Sequence, residues 1–287
     1  TLLDNEICSC HVGIECIDDG DPLARGNRIH SHTMGSLWVH KDGRGTIEDN
    51  ELYANAKAAV RVWNGGAPLL RGNRIYGGKT VGLLVYENGR GEYYDNEIHS
   101  NRQWNVEVKR YAFPIIQRNR IHSSRHGGVY VHGGGGFHQE SESVAFQLVD
   151  NDIFSNTGVG VSIGVDADPI VKGNQIHSGH TAGILVSGDS ARGRVSGNTL
   201  SSNSDGVVIR DGGAPTVERN VIRGQTRRGI VVMPRGQGAI VDNEVADSAW
   251  ANIEVRGKRR EARASGLEEE RVELAKKKAA YAAAGML

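Results

Sequence analysis

Apolar residues fall in short alternating runs along most of the chain, each bounded by Gly, Pro, Asn or Asp. Examples are Gly82-Leu-Leu-Val85, Gly128-Val-Tyr-Val131, Gly183-Ile-Leu-Val186 and Gly229-Ile-Val-Val232. Alternation with period two predicts half-buried strands, and the bounding residues predict the bends between them. A second pattern sets the spacing. Asn followed two residues later by Ile, Leu or Val recurs at Asn5, Asn27, Asn50, Asn73, Asn96, Asn119, Asn151, Asn174, Asn198, Asn220 and Asn243. Successive hits lie 22 to 24 residues apart, except for one gap of 32 between Asn119 and Asn151. No helix of useful length fits beside three strands in such a repeat.

Three short strands and three bends per period describe one coil of a parallel β-helix, which buries its apolar face only by stacking on its neighbours. The expected fold is therefore all-β: a right-handed single-stranded parallel β-helix of about eleven coils of 23 residues, with a C-terminal α-helix. At a rise of about 4.8 Å per coil, eleven coils make a rod of about 50 Å. Pro22, Pro68, Pro114, Pro169 and Pro215 alternate with Gly-containing turns ending at Gly45, Gly91, Gly193 and Gly238, so two coils form a unit of 46 residues. Asn at a sharp bend tolerates the left-handed backbone region. Its amide can also bond the coils on either side, so Asn27, Asn50, Asn73, Asn96, Asn119, Asn151 and Asn174 are expected to form a structural ladder.

The pattern breaks twice. The long gap holds a Gly-rich insertion over residues 133–143 that must leave the coil as a loop. After residue 255 the repeat stops, dividing the chain into a β-helix over 1–255 and a tail over 256–287. Ser265 and Glu268 have capping-box spacing ahead of good helix formers, predicting a helix from about Leu267 to Ala283. Glu268 to Glu270 lie early and Lys276 to Lys278 late, as the helix dipole favours. Leu267, Leu274 and Tyr281 mark its narrow apolar stripe, which either caps the rod or docks a partner.

Composition narrows the function. Lys and Arg number 34 against 34 Asp and Glu, which argues against a general nucleic-acid binder. No apolar run is long enough to cross a membrane as a helix. Three cysteines, Cys8, Cys10 and Cys16, form no disulfide framework and suit a reducing, cytoplasmic setting, cytoskeleton or cilium included. The chain opens inside a coil at Thr1, as expected of a piece of a longer protein or complex.

In a stacked coil, residues at equal phase form columns. The residue after Asn alternates in charge (Glu6, Arg28, Glu51, Arg74, Glu97, Arg120), which reads as a cross-strand ladder. Three after Asn come His30, Tyr53, Tyr76, His99, His122, Phe154 and His177, whose rings can stack without any ligand. Two outward columns of the third strand hold Trp38, Arg61, Leu84, Glu107, Tyr130 and His40, Trp63, Tyr86, Lys109, His132. Trp38, Arg61, Trp63, Leu84, Tyr86 and Tyr130 thus share one face and have the composition of a protein-binding surface. Asp18, Asp19, Asp21, Asp166 and Asp168 sit at turns. Neither Cys8, Cys10, His11 and Cys16 nor His122, His126, His132 and His138 has convincing metal spacing. No catalytic residue, metal or cofactor is expected from the columns.

The units APLLRGNRIYGGKTVGLLVYENGRGEYYDNEIHSN and GAPTVERNVIRGQTRRGIVVMPRGQGAIVDNEV resemble the repeats of the F-box-only proteins of the ten/eleven subfamily, over about Thr1 to Val255. That resemblance implies substrate recruitment to a cullin ubiquitin ligase, although neither an F-box nor the C-terminal zinc domain is visible. Similar repeats occur in scaffold proteins, in copper-system periplasmic proteins and in bacterial polysaccharide epimerases or lyases. The expectation is a non-enzymatic protein-interaction module with other proteins as partners. A structural component of a large assembly is the alternative, and a carbohydrate-active enzyme the third reading.

Overall fold

The computed structural model describes residues 1–134 and 146–257. Its strands form three sheets of 11, in which every strand pairs in parallel with the strand three further along the chain. The protein is thus an all-β, right-handed parallel β-helix of eleven coils, as the periodicity predicts. The coils form one compact unit, Thr1–Arg256. The predicted C-terminal helix, with Leu267, Leu274 and Tyr281, lies outside the described residues, as does the insertion beyond Gly134.

Register follows the repeat directly. In the first sheet Leu70 faces Tyr93, in the second Ile75 faces Ile98, and in the third Leu83 faces Val106. These inward residues are fully buried and belong to one continuous core running from Ile14 to Ile230. A parallel ladder keeps like residues over like, so branched aliphatics stack in columns.

The corner between first and second sheets is closed by asparagines. Asn96 shows the unit: its backbone N–H and its Nδ2 both donate to Asn119 Oδ1 at 2.9 Å, and Nδ2 also donates to the Leu70 carbonyl at 3.0 Å. The same pattern links each coil to the next from Asn5 to Asn243. The left-handed residue, however, is not the asparagine. It is the residue before it: Asp4, Gly26, Asp49, Gly72, Asp95, Arg118, Asp150 and Gly173 all have φ between 53° and 68°. Asp and a second residue type alternate because the corners stack closely. A Cβ on Gly72 would come within 2.5 Å of Asp49 Oδ1, so glycine there makes room for the neighbouring carboxylate. Where the alternate residue is Arg118, it reaches Asp95 at 2.9 Å instead.

A second buried polar column, not apparent from the main repeat, closes the corner between second and third sheets. Asn101 Oδ1 accepts the Gly78 N–H at 3.0 Å, Asn156 Oδ1 that of Ser124 at 3.0 Å, and Asn203 Oδ1 that of Gly179 at 3.0 Å. Its members change from coil to coil, including His32, Asn55 and Gln225, because only the acceptor is needed. The alternating charges and the rings of the second sheet stack as columns too. Arg74 bridges Glu51 and Glu97, and the His99 and His122 ring centroids lie 5.0 Å apart.

Candidate active site on the third sheet

The third sheet carries the outward columns that matter. Strands Gly35–Val39, Val60–Val62, Leu83–Tyr86, Trp104–Lys109 and Gly127–His132 turn Val and Leu inward. Alternation then sends the residues between them to the surface. Trp38, Arg61, Leu84, Glu107 and Tyr130 pair in register as one column, and Tyr86, Lys109 and His132 as the next.

None of these side chains stands free, because each half-buries its neighbour. Trp63 stacks on His40 at 4.0 Å and on Tyr86 at 5.7 Å, and meets Trp38 edge-on at 5.5 Å. Arg61 lies among Trp38, Trp63 and Tyr86 at 5.3 to 5.6 Å from the ring centroids. Leu84 follows Arg61 in the column. This is an aromatic stripe with a cation at its centre.

Beyond Leu84 the character changes. Glu107 Oε1 accepts Lys109 Nζ at 2.9 Å and His132 Nε2 at 2.9 Å. Tyr130, the register partner of Glu107, stacks on His132 at 4.2 Å and on Trp104 at 5.0 Å. On the next coil Gly164 stands where Cβ would come within 3.2 Å of the Tyr130 hydroxyl. Its missing side chain leaves the space before Tyr130 and His132 open.

The titration states fit acid–base work. Burial pushes the Glu107 carboxyl up, but the hydrogen bonds from His132 and Lys109 outweigh it and hold the group below the ordinary carboxylate range. Burial, helped by the Glu107 charge, pushes the Tyr130 phenol up, so it keeps its proton across neutral pH. An imidazole whose Nε2–H is held by a carboxylate keeps Nδ1 as its basic nitrogen. An imidazole, a proton-bearing phenol and a lysine side chain therefore meet within two neighbouring coils. The pair Glu15 and His40, 2.8 Å apart, repeats the dyad near the start of the rod. There Trp38 replaces the tyrosine and Ile17 the lysine, so that copy has no second proton donor.

One consequence is measurable. A carboxyl held low in the fold contributes stability that is present above its unfolded pKa and lost as pH falls through its folded value. Glu107 should therefore weaken the rod only on the acid side of about 4.5, its ordinary value. Urea midpoints measured across that range should fall less steeply for Glu107→Gln than for the wild type.

Other proposed sites remain scattered. Cys16 is buried while Cys8 and Cys10 are exposed. Among the described residues no three His, Cys, Asp or Glu converge as metal ligands. His138 lies outside the described residues.

Residues 1–141 and 105–266 match the family described as the right-handed β-helix region. The chain belongs to the right-handed β-helix family. The match is to β-helix proteins in general and carries no F-box-only assignment. No curated protein matches the sequence. Among solved structures, this β-helix resembles the A-module of the mannuronan C-5 epimerase AlgE4 from Azotobacter vinelandii, with a TM-score of 0.52 and 12% identity, covering 90% of this chain and 88% of that one. The A-module of AlgE6 from the same organism aligns with a TM-score of 0.51 and 12% identity, over 82% and 79% of the two chains. The periplasmic alginate epimerase AlgG aligns with a TM-score of 0.51 and 14% identity, over 84% of this chain. This β-helix spans 61% of that AlgG chain. At such identities the likeness is one of fold.

The expectation of a non-enzymatic interaction or assembly module is corrected here: solved β-helices with this fold include epimerases, so the fold gives no ground for setting an enzyme aside. The ground for setting enzymes aside was the lack of an acid–base cluster in any column, and it fails at Glu107, Tyr130 and His132. Read one column at a time, the cluster is invisible. It runs diagonally, joining a Glu of one column to a His of the other, 25 residues on.

Proposed function

We propose that this β-helix is a carbohydrate-active enzyme that removes the proton beside the carboxylate of a uronic acid in an acidic polysaccharide. The observation that carries this reading is the convergence of Glu107, Lys109, Tyr130 and His132 in line with an aromatic stripe. Sugars stack on aromatic rings through their apolar faces, and a long flat stripe suits a polymer better than a small metabolite. That the solved structures sharing the fold include alginate epimerases supports the same class of chemistry.

In the proposed step His132 Nδ1 takes the C5 proton, and the electron pair left behind moves into the adjacent carboxylate. Lys109 offsets the charge that develops there, as positioned cations do for enolates. Glu107 stabilises the imidazolium so formed. Tyr130 holds the proton that returns to carbon or to the departing C4 oxygen, giving the epimer in the first case and an unsaturated uronate in the second. A single test covers both outcomes. Polymannuronate, polyguluronate and pectate are incubated with the protein in deuterium oxide, and the products are examined by NMR. Deuterium at C5 or an unsaturated chain end is the expected result. Polymers recovered with neither would overturn the reading.

A further inference from the structure

Arg61 is surrounded but not satisfied. One Nη donates to the Tyr86 hydroxyl at 3.1 Å, while its Nε and the neighbouring Trp38 Nε1 are both shielded from solvent without an acceptor. Burying a donor unpaired is unfavourable, and these two belong to register partners on neighbouring coils, so an acceptor from outside the described residues would be favoured here. Nor has Arg61 a carboxylate partner among the described residues, unlike Arg110 two coils on, which meets Glu87. A shallow pocket of about 330 Å³ opens beside it, walled also by Lys57, Thr80, Gln103 and Glu107. Lys57 is exposed and likewise forms no ion pair among the described residues. Glu107 ties this pocket to the cluster above.

The geometry points to a carboxylate-binding subsite at Arg61 and Lys57, which holds a second uronate of the same polymer. This rests on the proposed uronate chemistry. Arg61 and Tyr130 stand three strands apart in register, roughly 14 Å at about 4.8 Å per strand. A strand spacing is close to the length of one pyranose ring, so a polymer lying along the rod sets successive sugars over successive coils. The anchored sugar is then about three units from the one that reacts. Its carboxylate meets a planar guanidinium already fixed by three rings, which lowers the entropy lost on binding.

Hexamannuronate and its uncharged counterpart, mannohexaose, are titrated into the full chain, and binding is followed by calorimetry and tryptophan fluorescence. The wild type should bind the acidic hexamer and not the neutral one. Arg61→Met and Lys57→Met should each lose about tenfold or more in affinity, as expected for a lost charge-assisted hydrogen bond. Two results would overturn the subsite: equal binding of both hexamers by the wild type, or full affinity in folded Arg61→Met and Lys57→Met. If Arg61→Met does not fold, Lys57→Met at the exposed edge decides alone. A wild type that shows this binding pattern but exchanges no C5 proton would sink the proposed reaction and leave the subsite standing.

Discussion

Tyr130→Phe is expected to leave the rod intact and to slow turnover of a uronate polymer by about a hundredfold or more, the contribution of a positioned acid or base. The substitution removes one oxygen and nothing else. Phenylalanine keeps the stacking on Trp104 and His132, so the sheet loses no packing. With the phenol goes the proton that must be delivered. Since burial and the Glu107 charge raise the Tyr130 pKa above its ordinary 10.0, the alkaline limb of the wild-type rate profile should lie above that value. The variant should lack that limb while its KM changes little. Turnover of Tyr130→Phe within a few-fold of the wild type would remove the tyrosine from the chemistry. His132→Gln provides the complementary measurement, because it removes the base and keeps the phenol, although Tyr130 loses a ring it stacks on.

The second large effect concerns stability. Asn96→Ala should cost about 3 kcal/mol or more, at one to three for each buried group left unpaired. Asn96 Oδ1 accepts both the backbone N–H and the Nδ2 of Asn73, at 2.9 and 3.0 Å, so alanine orphans two donors inside the stack. It also strips the Leu70 carbonyl and the Asn119 amide oxygen of a donor. Asn243, in the last coil and partly open to solvent, makes a control: water can replace what Asn243→Ala removes, and the loss should be about 1 kcal/mol. Urea denaturation of both variants tests the contrast. Equal losses at the two positions would mean that the ladder gains nothing from burial.

The contrast between those two kinds of residue also explains what could be read in advance. Inward positions such as Val106 and Val108 declare themselves, because a strand has a period of two and the coil repeats every 23 residues or so. Register then follows without further information, which is why fold and coil number were legible. Corners were less so. Asn was expected to take the left-handed turn, yet the turn falls on the preceding Asp or Gly, and the Asn side chain spends its amide on the neighbouring coil instead. Least legible was the acid–base cluster. Side chains of Glu and His together reach across one strand spacing and sideways by one column, so contacts run obliquely across columns that a sequence aligned by period shows only vertically. Glu107 sat between Leu84 and Tyr130 in one column, and His132 followed Lys109 in the other. Three-dimensional reach, not position in the repeat, brings them together.

The corner where an aspartate of one coil nests against a glycine or arginine of the next has an implication for how such a rod can change length. Inserting a single aspartate-bearing coil within the first eight would set aspartate directly over aspartate, two like charges at one strand spacing and no vacancy to receive either. Inserting or removing two coils restores the alternation and the Pro and Gly turns with it. Growth by duplication of two coils, 46 residues at a time, thereby keeps both alternations intact.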